Sequence, residues 1–168
     1  SIAKHKKTTR QDIEMVHAAI AGQLADWPPD SYAWIGDRAL GMCAYELVRT
    51  GELASILTPD EMIQFKDEAI LFQLPAAAVR QVNDDEAYYL DAMRRIIDSC
   101  DQPYHARRVI FDEIREDLHK KRNSPDFPVV AGRLLLPDIE KGHVIQARDR
   151  ANCEAWALAT ALASGMDP

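Results

Sequence analysis

Residues 83–122 read NDDEAYYLDAMRRIIDSCDQPYHARRVIFDEIREDLHKKR, and this stretch decides the fold. Tyr89, Met93, Ile96 and Cys100 recur at helical spacing and make one apolar stripe. Asn83 has the chemistry of an N-cap. Asp84, Asp85 and Glu86 follow it, where carboxylates meet the positive end of a helix dipole. Asn83 and Glu86 also have capping-box spacing. Past Cys100, Asp101 is placed to cap a second helix. Pro103 suits its first turn, where no helical hydrogen bond is lost. Ile110, Phe111, Ile114 and Leu118 form the second stripe. Glu116 and Asp117 stand four residues before Lys120 and Lys121, the spacing of helical ion pairs. His119, Lys120, Lys121 and Arg122 suit the negative helix end, and Asn123, Ser124 and Pro125 stop it. A turn this short makes the two helices antiparallel neighbours on a shared core.

Working outward, the same periodicity recurs on both sides. A first helix begins after Thr8 or Thr9, with Asp12 three residues beyond Thr9 as a capping-box analogue, and faces inward through Ile13, Val16, Ile20, Leu24 and Trp27. Pro28 and Pro29 end it. A second helix, capped by Asp30 or Ser31, runs to about Arg49 with Ile35, Ala39, Met42, Cys43 and Leu47 inward, and Gly51 suits the left-handed residue past its end. Thr58-Pro59-Asp60-Glu61 is the clearest helix start in the chain. That third helix continues through Met62, Phe65, Ala69 and Phe72 toward Leu74, and residues 75–82 form a short Ala-rich helical piece.

Downstream of Asn123, the run SPDFPVVAGRLLLPDIEKG mixes prolines and glycines with short apolar pieces. It reads as a packed irregular connector, since a lone strand over Val129–Leu136 has no evident partner. The last helix starts near Lys141–Val144. Its alanines, among them Ala151, Ala155 and Ala159, make it thin enough for the middle of a bundle. Ser164-Gly165 ends it. The expected fold is all-α: a compact bundle of about six or seven helices with a Pro-rich irregular connector before the last helix. Residues 1–10 are expected to form a basic, flexible arm, and residues 11–168 a single all-helical domain.

The chain has 168 residues, a net charge of −7, and only 7 glycines, which argues against turn-rich β architecture and phosphate-cradling loops. Lys4, Lys6, Lys7 and Arg10 make the first ten residues basic, so the remainder is more acidic still. An acidic body is a poor general nucleic-acid binder, because phosphate contact depends on basic surface. The 3 cysteines, Cys43, Cys100 and Cys153, are far apart and show no C-x-x-C pattern. Buried free thiols in a cytoplasmic, reducing setting are expected. No membrane span and no secretory signal are legible.

Signatures with a chemical mechanism are sparse. G-x-S-x-G, H-E-x-x-H, G-x-G-x-x-G and the Walker A loop are missing. Glu-x-x-His occurs at Glu14–His17 and at Glu116–His119. Helical bundles with carboxylate-bridged di-iron sites use this pair from two helices, with Glu46 and Glu86 or Glu68 as the remaining candidates here. The order along the chain differs from that arrangement, so the metal centre stands as an alternative, and no cofactor is assigned. Arg10 and His17 form R-x(6)-H, a spacing that resembles the one in helical HEPN-type ribonucleases, although here it lies at the chain start. Arg94, Arg95, Arg107 and Arg108 cluster at the central turn with acids in reach, which favours ion pairs over anion binding.

The functional expectation is therefore a non-enzymatic protein–protein interaction module of the immunity, secretion-chaperone or regulatory-adaptor type, such as a small bacterial cytoplasmic protein. Its contact surface would be the acid-rich stretch 59–91, with Asp60, Asp67, Glu68, Asp84 and Asp85, and its partner a basic protein. Trp27 and Tyr32, near Trp34, are the aromatic interface candidates. Nucleic-acid binding through the basic arm is a further alternative, and a homodimer is compatible with the sequence.

Overall fold

The computed structural model describes residues 8–64 and 79–166. All its regular structure is helical. Six α-helices are present among the described residues: α1 Arg10–Ala25, α2 Ser31–Thr50, α3 Pro59–Gln64, α4 Val79–Asp98, α5 Tyr104–Lys121 and α6 Leu136–Ser164. A 3-10 turn covers Leu53–Ser55, and a π-helical stretch, Val130–Leu135, leads into α6. None of the described helices is long and apolar enough to cross a membrane.

Several helix ends follow their local chemistry. Thr9 caps α1 reciprocally with Asp12: the Asp12 amide donates to Thr9 Oγ1, and the Thr9 amide donates to Asp12 Oδ2 at 2.8 Å. Thr58 and Glu61 do the same for α3. Gly51 ends α2 at φ 74, the left-handed position that favours glycine. The remainder of the third expected helix, with Phe65, Ala69, Phe72 and Leu74, lies outside the described residues, as do residues 75–78 of the Ala-rich piece.

The described chain divides into two compact units, Ser1–Pro28 with Gly142–Pro168, and Pro29–Lys141. The second unit is organised around α4, which packs against α2, α5 and the π-helical stretch. Val82, Asp85, Tyr89, Ala92, Met93 and Ile96 are its buried face. Phe111 and Ile114 meet it from α5, as the two stripes of the central stretch predict. The expected ion pairs form, Lys121 with Asp117 at 3.0 Å and Lys120 with Glu116 at 3.4 Å.

Here several expectations need correction. Helix α4 begins at Val79, so Asn83 is inside it rather than capping it. The cap position of α5 falls on Pro103, not Asp101. Asp30 has helical backbone angles and makes no cap bond, because its carboxylate is spent on Arg107. In α2 the inward face is Trp34, Gly41, Ala44, Tyr45 and Val48, while Ile35, Ala39, Met42 and Cys43 are exposed. Both sets have helical spacing and lie roughly two-fifths of a turn apart. What selects between them is Tyr89: its ring lies over Gly41, where an added Cβ would collide with it, and its hydroxyl donates to the Asp37 carbonyl at 3.0 Å.

The Pro-rich connector is irregular only up to Pro128. From Val129 the chain is helical, and α6 starts at Leu136, before the expected Lys141–Val144. The physical reason is Asp85. Its carboxylate accepts from the Val130 and Ala131 amides at 2.8 and 3.0 Å and from the Tyr45 hydroxyl at 2.7 Å. A helix start needs acceptors for its first amides, and here a distant residue supplies them. Burial pushes the Asp85 carboxyl above the ordinary carboxylate range, and these donors pull it back part of the way.

The first unit is built differently. Helix α1 has no fully buried residue. It is tied to α6 by His17, whose Nδ1 lies 3.0 Å from the Ala157 carbonyl and 3.1 Å from Thr160 Oγ1. The face of α6 turned away from that contact, with Ala151, Ala155 and Leu158, is exposed, so this part of α6 is not the middle of a bundle. Nor are the cysteines fully buried: Cys43 is exposed, and Cys100 and Cys153 are half-buried.

Candidate functional site: an apolar groove with a basic rim

Two adjacent lines of residues on α5 and its C-cap, Arg122, create the site. Phe111, Ile114 and Leu118 lie at i, i+3 and i+7 and point toward the core. Arg115, His119 and Arg122 lie beside them at i, i+4 and i+7, at its edge. Ile96, Phe127 and Leu136 complete an apolar floor, and the recess holds about 330 Å³. That is the small end of the range for ligand and side-chain pockets. The wall opposite α5 is the π-helical stretch and the start of α6. Single π-helical turns occur often at functional sites, because they widen the helix and re-aim its side chains.

Gly132 shapes this wall. An added Cβ would lie 2.8 Å from Phe127 Cζ and 3.0 Å from Leu118 Cδ2, so only glycine lets these two side chains close the floor. The Arg133 guanidinium stands 5.6 Å from the centroid of the Phe127 ring and holds it from above.

The basic side chains of the rim differ in their commitments. Arg115 binds Glu140 at 2.6 Å and Asp112 at 2.8 Å, which fixes it. The side chains of His119 and Arg122 are exposed and have no hydrogen bond or ion pair among the described residues. On a chain of net charge −7, two uncommitted basic groups over an apolar floor are a local reversal of sign. The arrangement suits a group with an apolar body and an anionic end.

The sequence candidates are placed as follows. Asp60 and Asp84 are exposed, and Asp67 and Glu68 lie outside the described residues. Asp85 is a correction: it is 3% exposed and fully engaged as the cap of the π-helical stretch, so it offers nothing to a partner. Tyr32 is 67% exposed and Trp27 half-buried, whereas Trp34 belongs to the core. Glu14 pairs with Arg10 at 2.7 Å, and Glu116 with Lys120. His17 is engaged with α6, and His119 faces the groove. No group of three or more His, Cys, Asp or Glu able to hold a metal ion occurs among the described residues. The same engagements occupy the Arg10–His17 pair. Lys4, Lys6 and Lys7 of the basic arm lie outside the described residues.

Arg107 and Asp30 make a buried ion pair at 2.7 Å, away from the groove. Burial pushes the Cys100 thiol up, against the pull of the nearby Arg107, so Cys100 is not a ready thiolate. The groove itself was missed at the level of sequence. Arg115, His119 and Arg122 read there as the basic end of a helix, and the one available signal was their spacing beside Ile114 and Leu118. The chain matches no protein-family model, no curated protein and no solved structure.

Proposed function

We propose that this chain is a non-enzymatic interaction module whose groove on α5 holds a short segment of a protein partner. That segment places an apolar side chain on the floor of Phe111, Ile114 and Phe127, and a carboxylate against Arg122 and His119. The carrying observation is the exposed Arg122 guanidinium and His119 imidazole, both without an ion pair or side-chain hydrogen bond among the described residues, at the rim of an apolar recess. The lining favours binding over chemistry. Its remaining polar groups are Arg115, Arg133 and Glu140, and Glu140 is already engaged by Arg115. An immunity factor, secretion chaperone or regulatory adaptor would use such a groove. The partner's contact segment is acidic, the reverse of what net charge alone suggested.

A random peptide library displayed on phage, selected on the wild-type chain, tests this. Enriched peptides should pair a large apolar residue with Asp or Glu, and Arg122→Glu should weaken them by about tenfold or more, the value of one charge-assisted contact. Gly132→Leu, which fills the groove, should abolish them. Enrichment of basic peptides that ignore Arg122→Glu and are lost on Asp60→Asn with Asp84→Asn would return the contact to the acidic flank.

A further inference from the structure

In the first unit, large apolar side chains remain in water. Leu158 is 49% exposed, Leu162 61% and Trp156 58%, and no residue from Ala155 to Ser164 is charged. A helix that is apolar on every side is normally a buried one. Val144, Arg148, Ala151, Ala155, Leu158 and Leu162 alternate at steps of four and three, the pattern of a coiled-coil seam, and all six are exposed. The seam is not the side that meets α1. That side carries Cys153, Ala157, Thr160, Ala161 and Ser164, which are half-buried or buried, together with the His17 contact.

We propose that the seam is the docking surface for a second copy of this chain, packed antiparallel about a two-fold axis that crosses α6 between Trp156 and Ala157. The seam's own sequence names the occupant. That operator sets Ala155 against Leu158 of the second copy, and Ala151 against its Leu162, so a small residue meets a large one throughout. A parallel two-fold would set leucine on leucine and alanine on alanine, leaving one end crowded and the other hollow. The same register brings Arg148 beside Gly165 of the second copy. Gly165, at φ 71, ends α6, and its amide and that of Met166 bond back to the Leu162 and Ala161 carbonyls. A cation is favoured at this negative end of a helix. Volume and charge are thus complementary in one register, and the contact is self-matching, as a two-fold interface must be. The alanines allow the two helices to approach closely.

Sedimentation equilibrium of the full chain reads this directly. The wild type should be a dimer at tens of micromolar. Leu158→Glu with Leu162→Glu should raise the dissociation constant at least about tenfold with unchanged helical circular dichroism, because both side chains are exposed. Ala155→Leu alone and Leu158→Ala alone should each weaken the dimer. The double exchange Ala155→Leu with Leu158→Ala should restore it, because the two-fold places each new leucine on a new alanine. A wild-type chain that stays monomeric up to about 200 micromolar overturns the proposal. So does a dimer indifferent to the two glutamates, or a double exchange no better than the single changes.

Discussion

The two units use the same kind of helix to opposite ends. In Pro29–Lys141, α4 buries one continuous face, and even the polar groups on that face are spent: Asp85 on two amides and a hydroxyl, Tyr89 on a carbonyl. In the unit made of Ser1–Pro28 and Gly142–Pro168, α1 has no fully buried side chain, and α6 shows leucines and a tryptophan to solvent. Helix α4 carries more charge than the end of α6, yet it is the better buried. Burial therefore tracks how many elements surround a helix rather than how apolar it is. An enclosed unit needs only its own core, and an open pair needs a covering surface.

The largest expected effect lies in the enclosed unit. Asp85→Ala strands the Val130 and Ala131 amides without their acceptor, at about 1–3 kcal/mol per buried group, and leaves the Tyr45 hydroxyl only its longer bond of 3.3 Å to the residue 85 carbonyl. A total loss of roughly 4 kcal/mol should appear as a lower urea midpoint, and Asp85→Asn should recover part of it. A loss under about 1 kcal/mol would mean that water replaces the carboxylate and the unit is more open than its burial implies.

A paired truncation sharpens the contrast. Met93→Ala empties a fully buried position and should cost about 2–5 kcal/mol, whereas Leu158→Ala, measured on dilute monomer, should cost about 0.5 kcal/mol or less. Equal costs would erase the distinction between the units. Within the open unit, His17→Ala removes a side chain bonded across to α6 and should cost about 1 kcal/mol. Hydrogen exchange should then speed up in α1 while α4 stays protected. Uniform acceleration across both would show that the two units unfold as one.

The smallest effect is acid dependence. Partial burial pushes the Asp117 carboxyl up, but the Lys121 ammonium and the Tyr88 hydroxyl outweigh it and hold it below the ordinary carboxylate range. Its folded value is depressed, so its contribution is present above the unfolded value of about 3.9 and is lost as pH falls through the folded one. Asp85 works the other way. Its folded value is raised, so stability falls as pH rises from about 3.9 through that value. Asp117→Asn should flatten the decline of Tm on the acid side. Asp85→Asn, compared with the wild type, should remove the opposing slope. An unchanged acid limb in Asp117→Asn would show that the Lys121 contact carries no net stabilisation.

The residues 83–122 alone determined that two helices form with Tyr89, Met93, Ile96, Phe111 and Ile114 inward, and the sequence at Thr9, Gly51 and Thr58 determined where neighbouring helices start or stop. Caps and 3.6-residue stripes act over a few residues, so their physics is written locally. Only the tertiary structure decided which of two apolar faces of α2 turns inward, because Tyr89 makes that choice from 48 positions downstream of Gly41. It likewise turned Asp85 from a surface acid into the cap of a helix start that the prolines had hidden, and set Gly132 and Phe127 opposite His119 and Arg122. Each of these needs two distant parts of the chain to meet before the energy that fixes it exists.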